Sequence, residues 1–433
     1  MDWNNVYREK IVSPTEAISK INSGDRIVVS HACAEPKLLV DSLVKNREKF
    51  TDLEIVHMVA MGKAEYVSEG MENHFKHNAI FAGASTRKAV QEGRADFTTC
   101  YFHEVPKLFK EGMMPVDVAM IQVTPPDKHG NCSVGVSVDY TKPAAESAKL
   151  LIAQMNDKMP RTMGDSFIHI SDIDYIVEHS EDLTELQPPK LGDVEREIGR
   201  NCADLIEDGS TLQLGIGAIP DAVLLFLKDK KDLGIHSEMI SDGVLELIRE
   251  GVITNKCKTL HKGKSIVTFL MGTRKLYDYV HDNPAIEFYP VDYVNDPLVI
   301  AQNEKMISIN SCIQIDLTGQ ICSESIGEKQ VSGVGGQVDF VRGATMSRGG
   351  KSIIAIPSTA AKGKVSRIVP ALDRGAIVTT SRNDVDYVVT EYGIARLKGK
   401  TLKERGRDLI KISHPDFRES LIDEWKKIYK CEF

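Results

Sequence analysis

Short apolar runs bounded by turn-forming residues recur along the chain, and two of them lie on either side of residue 220. Residues 211–214 (TLQL) and 233–235 (LGI) have the length and composition of buried strands in a parallel sheet. Residues 221–228 (DAVLLFLK), which lie between them, predict a helix. Strand, helix and strand in this order predict a βαβ unit, in which the two strands run parallel.

The residues that follow these two strands are candidates for chemistry. Gly215 and Gly217 come directly after the first strand, and Glu238 comes shortly after the second. The carboxyl ends of parallel strands emerge side by side, and the crevice outside them is where an open α/β sheet binds its ligand. We therefore expect a carboxylate against a glycine-lined cavity. A structural turn followed by an ordinary first-turn acid is the alternative.

The second half of the chain repeats motifs of the first half in the same order. The matching pairs are residues 24–32 and 209–217, 52–55 and 232–235, 86–88 and 273–275, 130–133 and 319–323, and 172–177 and 384–389. Such a repeat predicts two similar α/β domains with open parallel sheets, which we place at residues 1–185 and 186–433. We expect the active site in the cleft between them, because ligand sites are common at domain interfaces.

Differences between the two halves indicate which half carries the chemistry. The first half has His31 where the second has its glycine turn, and Met58 takes the place of Glu238. We therefore expect the second half to carry the catalytic glutamate, and the first half to form a wall or lid of the cleft. His31 is a weak candidate for the substrate pocket.

A second glycine cluster lies downstream, in residues 332–340 (SGVGGQVDF). In a helix or strand each glycine costs about 0.5–1 kcal/mol relative to alanine, so this cluster does not serve the stability of such an element. It suits a backbone that presents N–H groups to a developing negative charge, as an oxyanion hole requires. A flexible surface loop is the alternative. Further along, Lys362 lies in a basic loop that could contact phosphates.

Composition narrows the class of protein. The 433 residues are 42% hydrophobic and 27% charged, which predicts a soluble protein of two domains. No apolar run approaches the roughly 20 residues that span a bilayer, and no signal peptide is visible. Eight scattered cysteines without a C-x-x-C pair indicate reduced thiols, and we expect a cytoplasmic protein. The net charge of −8 argues against nucleic acid or an anionic membrane as a partner, and the histidine spacings predict no metal site.

A dinucleotide site is a less favoured alternative. A glycine turn after a strand, with an acid about 20 residues further on, is also the layout of an NAD-binding unit. Here Pro220 stands at the third glycine of that fingerprint, and the unit begins in the middle of a duplicated chain. An NAD-binding or non-catalytic ligand-binding protein therefore stays open as the alternative from a different class.

Four motifs together resemble the acetyl-CoA hydrolase/transferase family: residues 213–220 (QLGIGAIP), 236–239 (HSEM), 332–340 and 380–393 (TSRNDVDYVVTEYG). Within the family the motifs look like those of CoA-transferases that use 4-hydroxybutyrate or butyrate. The resemblance implies two similar α/β domains and no permanently bound cofactor. It implies coenzyme A or acyl-CoA as substrate, a short-chain carboxylate as its partner, and a homodimer or homotetramer.

The resemblance also implies roles for single residues. Glu238 would become covalently linked to coenzyme A, and Gly335 and Gly336 would be the oxyanion and CoA-binding glycines. Asn295 falls where the family has an asparagine close to the reacting glutamate and is, like His31, a weak candidate for the substrate pocket. Lys362 falls at a basic position near the CoA phosphates. The implied CoA-contacting turn is Gln213, Leu214, Gly215, Ile216, Gly217, Ala218 and Ile219. The implied reaction is a ping-pong transfer through a glutamyl-CoA thioester; a short-chain acyl-CoA hydrolase is the alternative.

Overall fold

The computed structural model describes residues 3–430. Its α-helices are α1 (Trp3–Glu9), α2 (Pro14–Ile18), α3 (Lys37–Lys45), α4 (Arg87–Gln91), α5 (Val105–Lys110), α6 (Thr141–Ser147), α7 (Asp193–Ala203), α8 (Ala218–Leu225), α9 (Asp242–Arg249), α10 (Arg274–Val280), α11 (Val291–Val294), α12 (Pro297–Ile300), α13 (Gln337–Met346), α14 (Leu402–Lys411) and α15 (Pro415–Tyr429). Among residues 3–430, no helix combines the length and the apolar character that crossing a bilayer requires.

The strands are mostly short. Those of the first half are β1 (Arg26–Val29), β2 (Leu53–Val56), β3 (Phe75–Ala79), β4 (Asp96–Phe97), β5 (Val118–Val123), β6 (Asn131–Ser133), β7 (Leu150–Met155), β8 (Met163–Gly164), β9 (Phe167–His169) and β10 (Tyr175–Glu178). The others are β11 (Thr211–Leu214), β12 (Gly234–Ile235), β13 (Met239–Ile240), β14 (Ser265–Val267), β15 (Phe269–Leu270), β16 (Ile286–Phe288), β17 (Met306–Asn310), β18 (Gln314–Asp316), β19 (Ile321–Cys322), β20 (Ser325–Ile326), β21 (Lys329–Gln330), β22 (Lys351–Ala355), β23 (Thr359–Ala360), β24 (Val365–Ser366), β25 (Ile368–Val369), β26 (Tyr387–Thr390) and β27 (Gly393–Arg396).

The described residues group into two compact units by their internal contacts. The first unit comprises the chain up to Leu186, Ile266–Val294 and Val331–Gly333. The second comprises Gln187–Ser265, Asn295–Gln330 and the chain from Val334 onward. The predicted domain ranges, 1–185 and 186–433, stay a prediction. In the structure, Ile266–Val294, which lies inside the second predicted range, makes its contacts with the first unit.

The first unit is built on a parallel sheet with the strand order β10-β7-β5-β1-β2-β3-β4. All six residues of β5 are buried, as expected for a central parallel strand that is covered on both faces. Helix α3 places Leu39 and Leu43, one turn apart, in the same core as Ile27 of β1 and Ile55 of β2. The apolar face of α3 and the apolar side chains of β1 therefore pack in one core.

The second unit has a sheet in which the strand order is β13-β11-β17-β22-β26-β27, with β12 also paired to β11. Strand β11 runs parallel to β12 and to β17, so that Leu212 lies opposite Ile235 on one side and Ile307 on the other. The pairs β17·β22 and β22·β26 are parallel as well. The predicted class, an α/β protein with mostly parallel sheets, is confirmed.

The two sheets share one strand order. In the first unit β1 lies between β2 and β5, and β7 and β10 follow beyond β5. In the second unit β11 lies between β12 and β17, and β22 and β26 follow beyond β17. The motif pairs predicted from the repeat include β1 with β11 and β10 with β26. This is the strand order that an internal duplication would produce; the duplication itself and the cleft stay predictions.

Candidate active site

The glycine turn connects β11 to α8 in the second unit. The predicted strand at residues 211–214 is β11, and every residue in it is buried. The helix begins earlier than residue 221: α8 spans Ala218–Leu225, and Gly217 is its N-cap with φ 115° and ψ −176°. Only glycine adopts this backbone conformation readily. Pro220 lies in the first turn of α8, where the absent N–H removes no helical hydrogen bond.

Glu238 lies beside this turn. Leu214, the last residue of β11, is paired with Met239 of β13. The Ser237 hydroxyl donates to the Leu214 carbonyl oxygen (3.2 Å) and accepts from the Leu214 N–H (3.3 Å). Because Leu214 is held against both neighbours of Glu238, the glutamate lies next to the turn that begins at Gly215. The two features that sequence analysis places side by side are brought together.

The Asn295 side chain binds the Glu238 carboxylate. Its amide Nδ2 donates to Oε2 of Glu238 at 2.8 Å, and Asn295 is fully buried. Gly336 lies against the same atoms: a Cβ added there would overlap Oε2 of Glu238 and Nδ2 of Asn295. Glycine is therefore the residue that leaves room for this contact. Three predicted residues from distant parts of the sequence meet at one carboxylate.

The second glycine cluster ends in a helix. Gly336 is the N-cap of α13, and the apolar run after it forms the first turns of this helix. The N-terminus of a helix presents free N–H groups and the positive end of its dipole. The Glu238 carboxylate thus lies beside the end of α13 that favours negative charge. Gly335 precedes this N-cap with φ 53°.

Gln213, the first residue of the predicted CoA-contacting turn, pairs with a residue that sequence analysis missed. Its amide Nε2 donates to Oδ1 of Asn310 (3.3 Å), and Asn310 Nδ2 donates back to Gln213 Oε1 (3.2 Å). Asn310 is the last residue of β17, which is the parallel neighbour of β11. A polar residue that closes an apolar run next to a predicted parallel strand is the signal that could have identified it.

One acid close to the site has a shifted pKa. Burial raises the pKa of Asp221, which lies in the first turn of α8. A hydrogen bond between the Ser241 hydroxyl and Asp221 (3.4 Å) opposes this shift, and the negative charge of Asp242 adds to it. Since Ser241 follows Glu238 by three residues, Asp221 and Ser241 link the start of α8 to the segment that carries the glutamate.

Two further predicted site residues, Lys362 and His31, have surroundings of their own. Lys362 is exposed, with φ 59°, in the turn of the β23–β24 hairpin. His31 belongs to the first unit, where it is buried and its Nδ1 lies 2.9 Å from Oδ2 of Asp139. Its ring packs edge-on against Phe269 at 4.7 Å between ring centres. No hydrogen bond or ion pair within the described chain connects Lys362 to the Glu238 cluster, so its place at the CoA phosphates stays a prediction.

The comparison with protein families defines the class. Residues 1–188 match the acetyl-CoA hydrolase/transferase N-terminal domain, and residues 272–425 match the acetyl-CoA hydrolase/transferase C-terminal domain. The chain therefore belongs to the acetyl-CoA hydrolase/transferase family, as its motifs predict. The predicted enzyme class is confirmed as well, and the protein is a CoA-transferase.

Three relatives show how similar the chain is to known members. It is 70% identical over 427 residues to the 4-hydroxybutyrate coenzyme A transferase of Clostridium kluyveri, which covers 99% of this chain and 100% of the relative. It is 37% identical to the butyryl-CoA:acetate CoA-transferase of Anaerostipes caccae over 99% of this chain and 98% of the relative. The crystal structure of a 4-hydroxybutyrate CoA-transferase from Porphyromonas gingivalis superimposes with a TM-score of 0.86 at 46% identity, covering 98% and 99% of the two chains.

Proposed function

We propose that the enzyme moves coenzyme A between a short-chain acyl-CoA and a free carboxylate, with 4-hydroxybutyrate or butyrate exchanging against acetyl-CoA or acetate. The relatives described above are named for 4-hydroxybutyrate, for butyryl-CoA and for acetate. These acids differ by a hydroxyl group or a few methylenes, and one methylene in a pocket discriminates by only about 1–3 kcal/mol. We therefore expect the enzyme to accept several of these acids.

The proposed reaction uses Glu238 as a covalent acceptor. The Glu238 carboxylate attacks the acyl carbonyl carbon; a C–O bond forms, the C–S bond breaks, and the CoA thiolate leaves behind an acyl-glutamyl anhydride. The thiolate then attacks the glutamyl carbonyl carbon, which gives glutamyl-CoA and releases the first acid as a carboxylate. A second carboxylate reverses these steps and departs as its CoA ester. Covalent catalysis of this kind predicts ping-pong kinetics.

One observation carries the proposal: Glu238 Oε2 accepts a hydrogen bond from Asn295 at the N-terminus of α13. The two groups fill the space that a side chain at position 336 would need. A carboxylate is a weak nucleophile, so the site has to orient it and stabilise each tetrahedral oxyanion. We assign the orientation to Asn295 and the oxyanion contacts to the backbone at Gly335 and Gly336. Loss of one oxyanion donor typically lowers the rate by about 10²–10³.

The proposed CoA site is the turn between β11 and α8 together with the N-terminus of α8. The Gln213 amide is engaged by Asn310, so we expect the backbone N–H groups from Gly215 to Ile219, more than the Gln213 side chain, to contact coenzyme A. In this proposal the exposed Lys362 contributes charge for the CoA phosphates.

The test is a search for the covalent intermediate. The enzyme is incubated with butyryl-CoA in the absence of an acceptor acid, digested, and its peptides are weighed by mass spectrometry. We expect coenzyme A on the peptide that contains Glu238. In Glu238→Gln the adduct disappears and turnover falls by at least about a thousandfold, as expected for loss of a covalent nucleophile. A CoA adduct on another residue, or full turnover in Glu238→Gln, contradicts the proposal.

Hydrolysis and transfer are distinguished by the need for a second acid. A hydrolase would use the same glutamate but would admit water to the glutamyl thioester. We expect butyryl-CoA consumption to stop at one equivalent per active site until acetate is added. Steady consumption without acetate would identify the protein as a hydrolase.

Assembly and compartment complete the proposal. We propose a homodimer or a homotetramer in the cytoplasm, with acyl-CoA and the carboxylate as its small-molecule partners and no resident cofactor. Sedimentation velocity of the purified protein measures the assembly, and a monomer over the whole concentration range would contradict it.

A further inference from the structure

Helix α13 brings three residues to one face that meets the catalytic segment. Gly336, Asp339 and Gly343 are spaced by three and four residues, which places them on the same side of a helix. At one end, Gly336 contacts Glu238 and Asn295; at the other, a Cβ on Gly343 would overlap the Ile300 side chain of α12. Helix α12 therefore packs closely on α13 along this stripe, and Asn295 lies two residues before the start of α12.

Asp339 lies in the middle of the stripe and faces Asn295. It is 1% exposed, and its Oδ2 accepts from Asn295 Nδ2 at 3.5 Å. The same Nδ2 donates to Glu238 Oε2 at 2.8 Å. One amide nitrogen thus carries two hydrogens toward two carboxylates. The carbonyl oxygen of the same amide, Asn295 Oδ1, is buried and has no hydrogen-bond partner among the described residues.

The two carboxylates decide which way the Asn295 amide points. If the amide turned over, its oxygen would face the oxygens of Glu238 and Asp339, and two hydrogen bonds would be replaced by repulsion between acceptors. Resting Glu238 is sufficient to hold the nitrogen in place. The proposed reaction, however, converts Glu238 to a neutral thioester, and in that state Glu238 no longer supplies the charge that orients the amide.

We propose that Asp339 is a positioning residue that keeps the Asn295 N–H directed at Glu238 while Glu238 is a neutral thioester. This inference rests on the proposed function. The Asp339 side chain takes no part in bond making, so its oxygen can accept the Asn295 N–H at every stage of the cycle. When an acid attacks the glutamyl-CoA carbonyl, the amide N–H is already directed at the oxygen that becomes the oxyanion. The site therefore needs no rearrangement before the thioester is discharged.

The proposal predicts that the two half-reactions respond differently to loss of Asp339. Charging starts from the Glu238 carboxylate, which orients Asn295 by itself, so its rate should change by less than about twofold. Discharging starts from the thioester, in which the amide is free to turn away when Asp339 is absent. We expect discharge to slow by about tenfold in Asp339→Ala, the scale of one intramolecular hydrogen bond. The equilibrium should shift toward glutamyl-CoA by the same factor.

The experiment measures the two half-reactions separately on the full-length enzyme. Charging is followed by intact-protein mass after mixing with butyryl-CoA. Discharging is followed by the appearance of acetyl-CoA after the desalted adduct is mixed with acetate. Asp339→Asn, which keeps a neutral acceptor oxygen, should discharge at a rate between those of Asp339→Ala and the wild type. In an Asn295→Ala background, Asp339→Ala should cause no further slowing of discharge.

Asp316→Asn is the matched control, because Asp316 is also a buried acid of the second unit and accepts its hydrogen bonds from Thr318 and Gln320. We expect its discharge rate per folded enzyme to equal that of the wild type.

Equal slowing of charging and discharging in Asp339→Ala, or further slowing in the Asn295→Ala background, overturns the inference. If Asp339→Ala does not fold, unchanged discharge in Asp339→Asn overturns it. If the wild type forms no adduct on Glu238, the proposed function itself fails; normal discharge in the Asp339 variants refutes the positioning role alone.

Discussion

Gly336 has a φ of −93° and a ψ of 9°, a conformation that alanine also adopts. Its lack of a side chain is therefore not required by the backbone. It is required by the space that the Glu238 carboxylate and the Asn295 amide occupy. A methyl group at position 336 would therefore displace the Glu238 carboxylate or the Asn295 amide without straining the backbone.

We predict that Gly336→Ala lowers kcat by about 10²–10³, the loss typical of one disturbed oxyanion donor. The methyl group displaces Glu238 or Asn295, whereas the poorer N-cap costs α13 only about 1 kcal/mol. The measurement is steady-state kinetics with butyryl-CoA and acetate, with the melting temperature as a check on folding. Gly192→Ala, at the exposed start of α7 with φ −86°, is the control and should keep full activity. Full activity in Gly336→Ala would contradict the assigned geometry.

At the scale of elements, the β11–α8 connection depends on Gly217, whose backbone conformation would be strained for any residue with a side chain. Gly217 has φ 115°, and nothing lies within 4 Å of a Cβ built there. A side chain would therefore meet no clash but would force the backbone out of its conformation. Because Gly217 is the N-cap of α8, such a change redirects the N–H groups at the start of the helix.

We predict that Gly217→Ala raises the KM for butyryl-CoA by about tenfold or more and destabilises the protein by about 1–3 kcal/mol, the cost of a strained backbone position. The control is Gly399→Ala, which has φ 79° and equally open space in a turn outside the site. It should cost similar stability and leave KM unchanged. Equal KM values in Gly217→Ala and Gly399→Ala would show that the turn between β11 and α8 does not bind coenzyme A.

Two histidines of the first unit are buried: His57 directly follows β2, and His77 lies in β3. Burial lowers the pKa of His77 from 6.5 to about 4, against a hydrogen bond from its Nδ1–H to the Ile55 carbonyl (3.0 Å). Burial, together with the neighbouring His77, lowers the pKa of His57 well below its usual value. In both cases the folded state favours the uncharged ring, whereas the unfolded chain takes up a proton as the pH falls below 6.5.

Stability should therefore fall on acidification. It is fully present above pH 6.5 and is lost as the pH drops from 6.5 toward 4; His77 alone contributes a loss of about 2 kcal/mol between pH 7.5 and pH 5. Urea unfolding at these two pH values measures the difference. In His77→Asn, where the amide still donates to Ile55, the loss should be smaller by about this amount. An unchanged pH dependence in His77→Asn would show that His77 is not buried in its neutral form.

At the scale of the whole molecule, the chain leaves the first unit and returns to it. Thr268 accepts from the Val138 N–H (2.9 Å), and Leu270 N–H donates to Val136 (3.0 Å). Strand β16 adds a parallel pair with β8. The segment 266–294 thus completes the structure that begins at the N-terminus.

We predict that residues 1–185 alone do not unfold cooperatively, because removal of 266–294 leaves the backbone of residues 136–139 and of β8 without its partners. A chain in which residues 1–186 are joined to 266–294 through a flexible glycine–serine linker should restore a cooperative thermal transition. Circular dichroism during heating measures both. A cooperative transition of the shorter fragment at the same temperature would contradict the discontinuous unit.

The sequence by itself determined the parallel strands β11 and β12, the glycine turn after the first of them, and the place of Glu238 next to it. These features follow from the local pattern of apolar residues and from the geometry of a βαβ unit, in which neighbours in sequence become neighbours in space. Its motifs also determined the family. Only the tertiary structure decided that Asn295 and Asp339 meet, and that residues 266–294 belong to the first unit. Glu238 and Asn295 are 57 residues apart and Asn295 and Asp339 are 44 apart. Their contact depends on the packing of α12 against the stripe of α13, which no local pattern specifies.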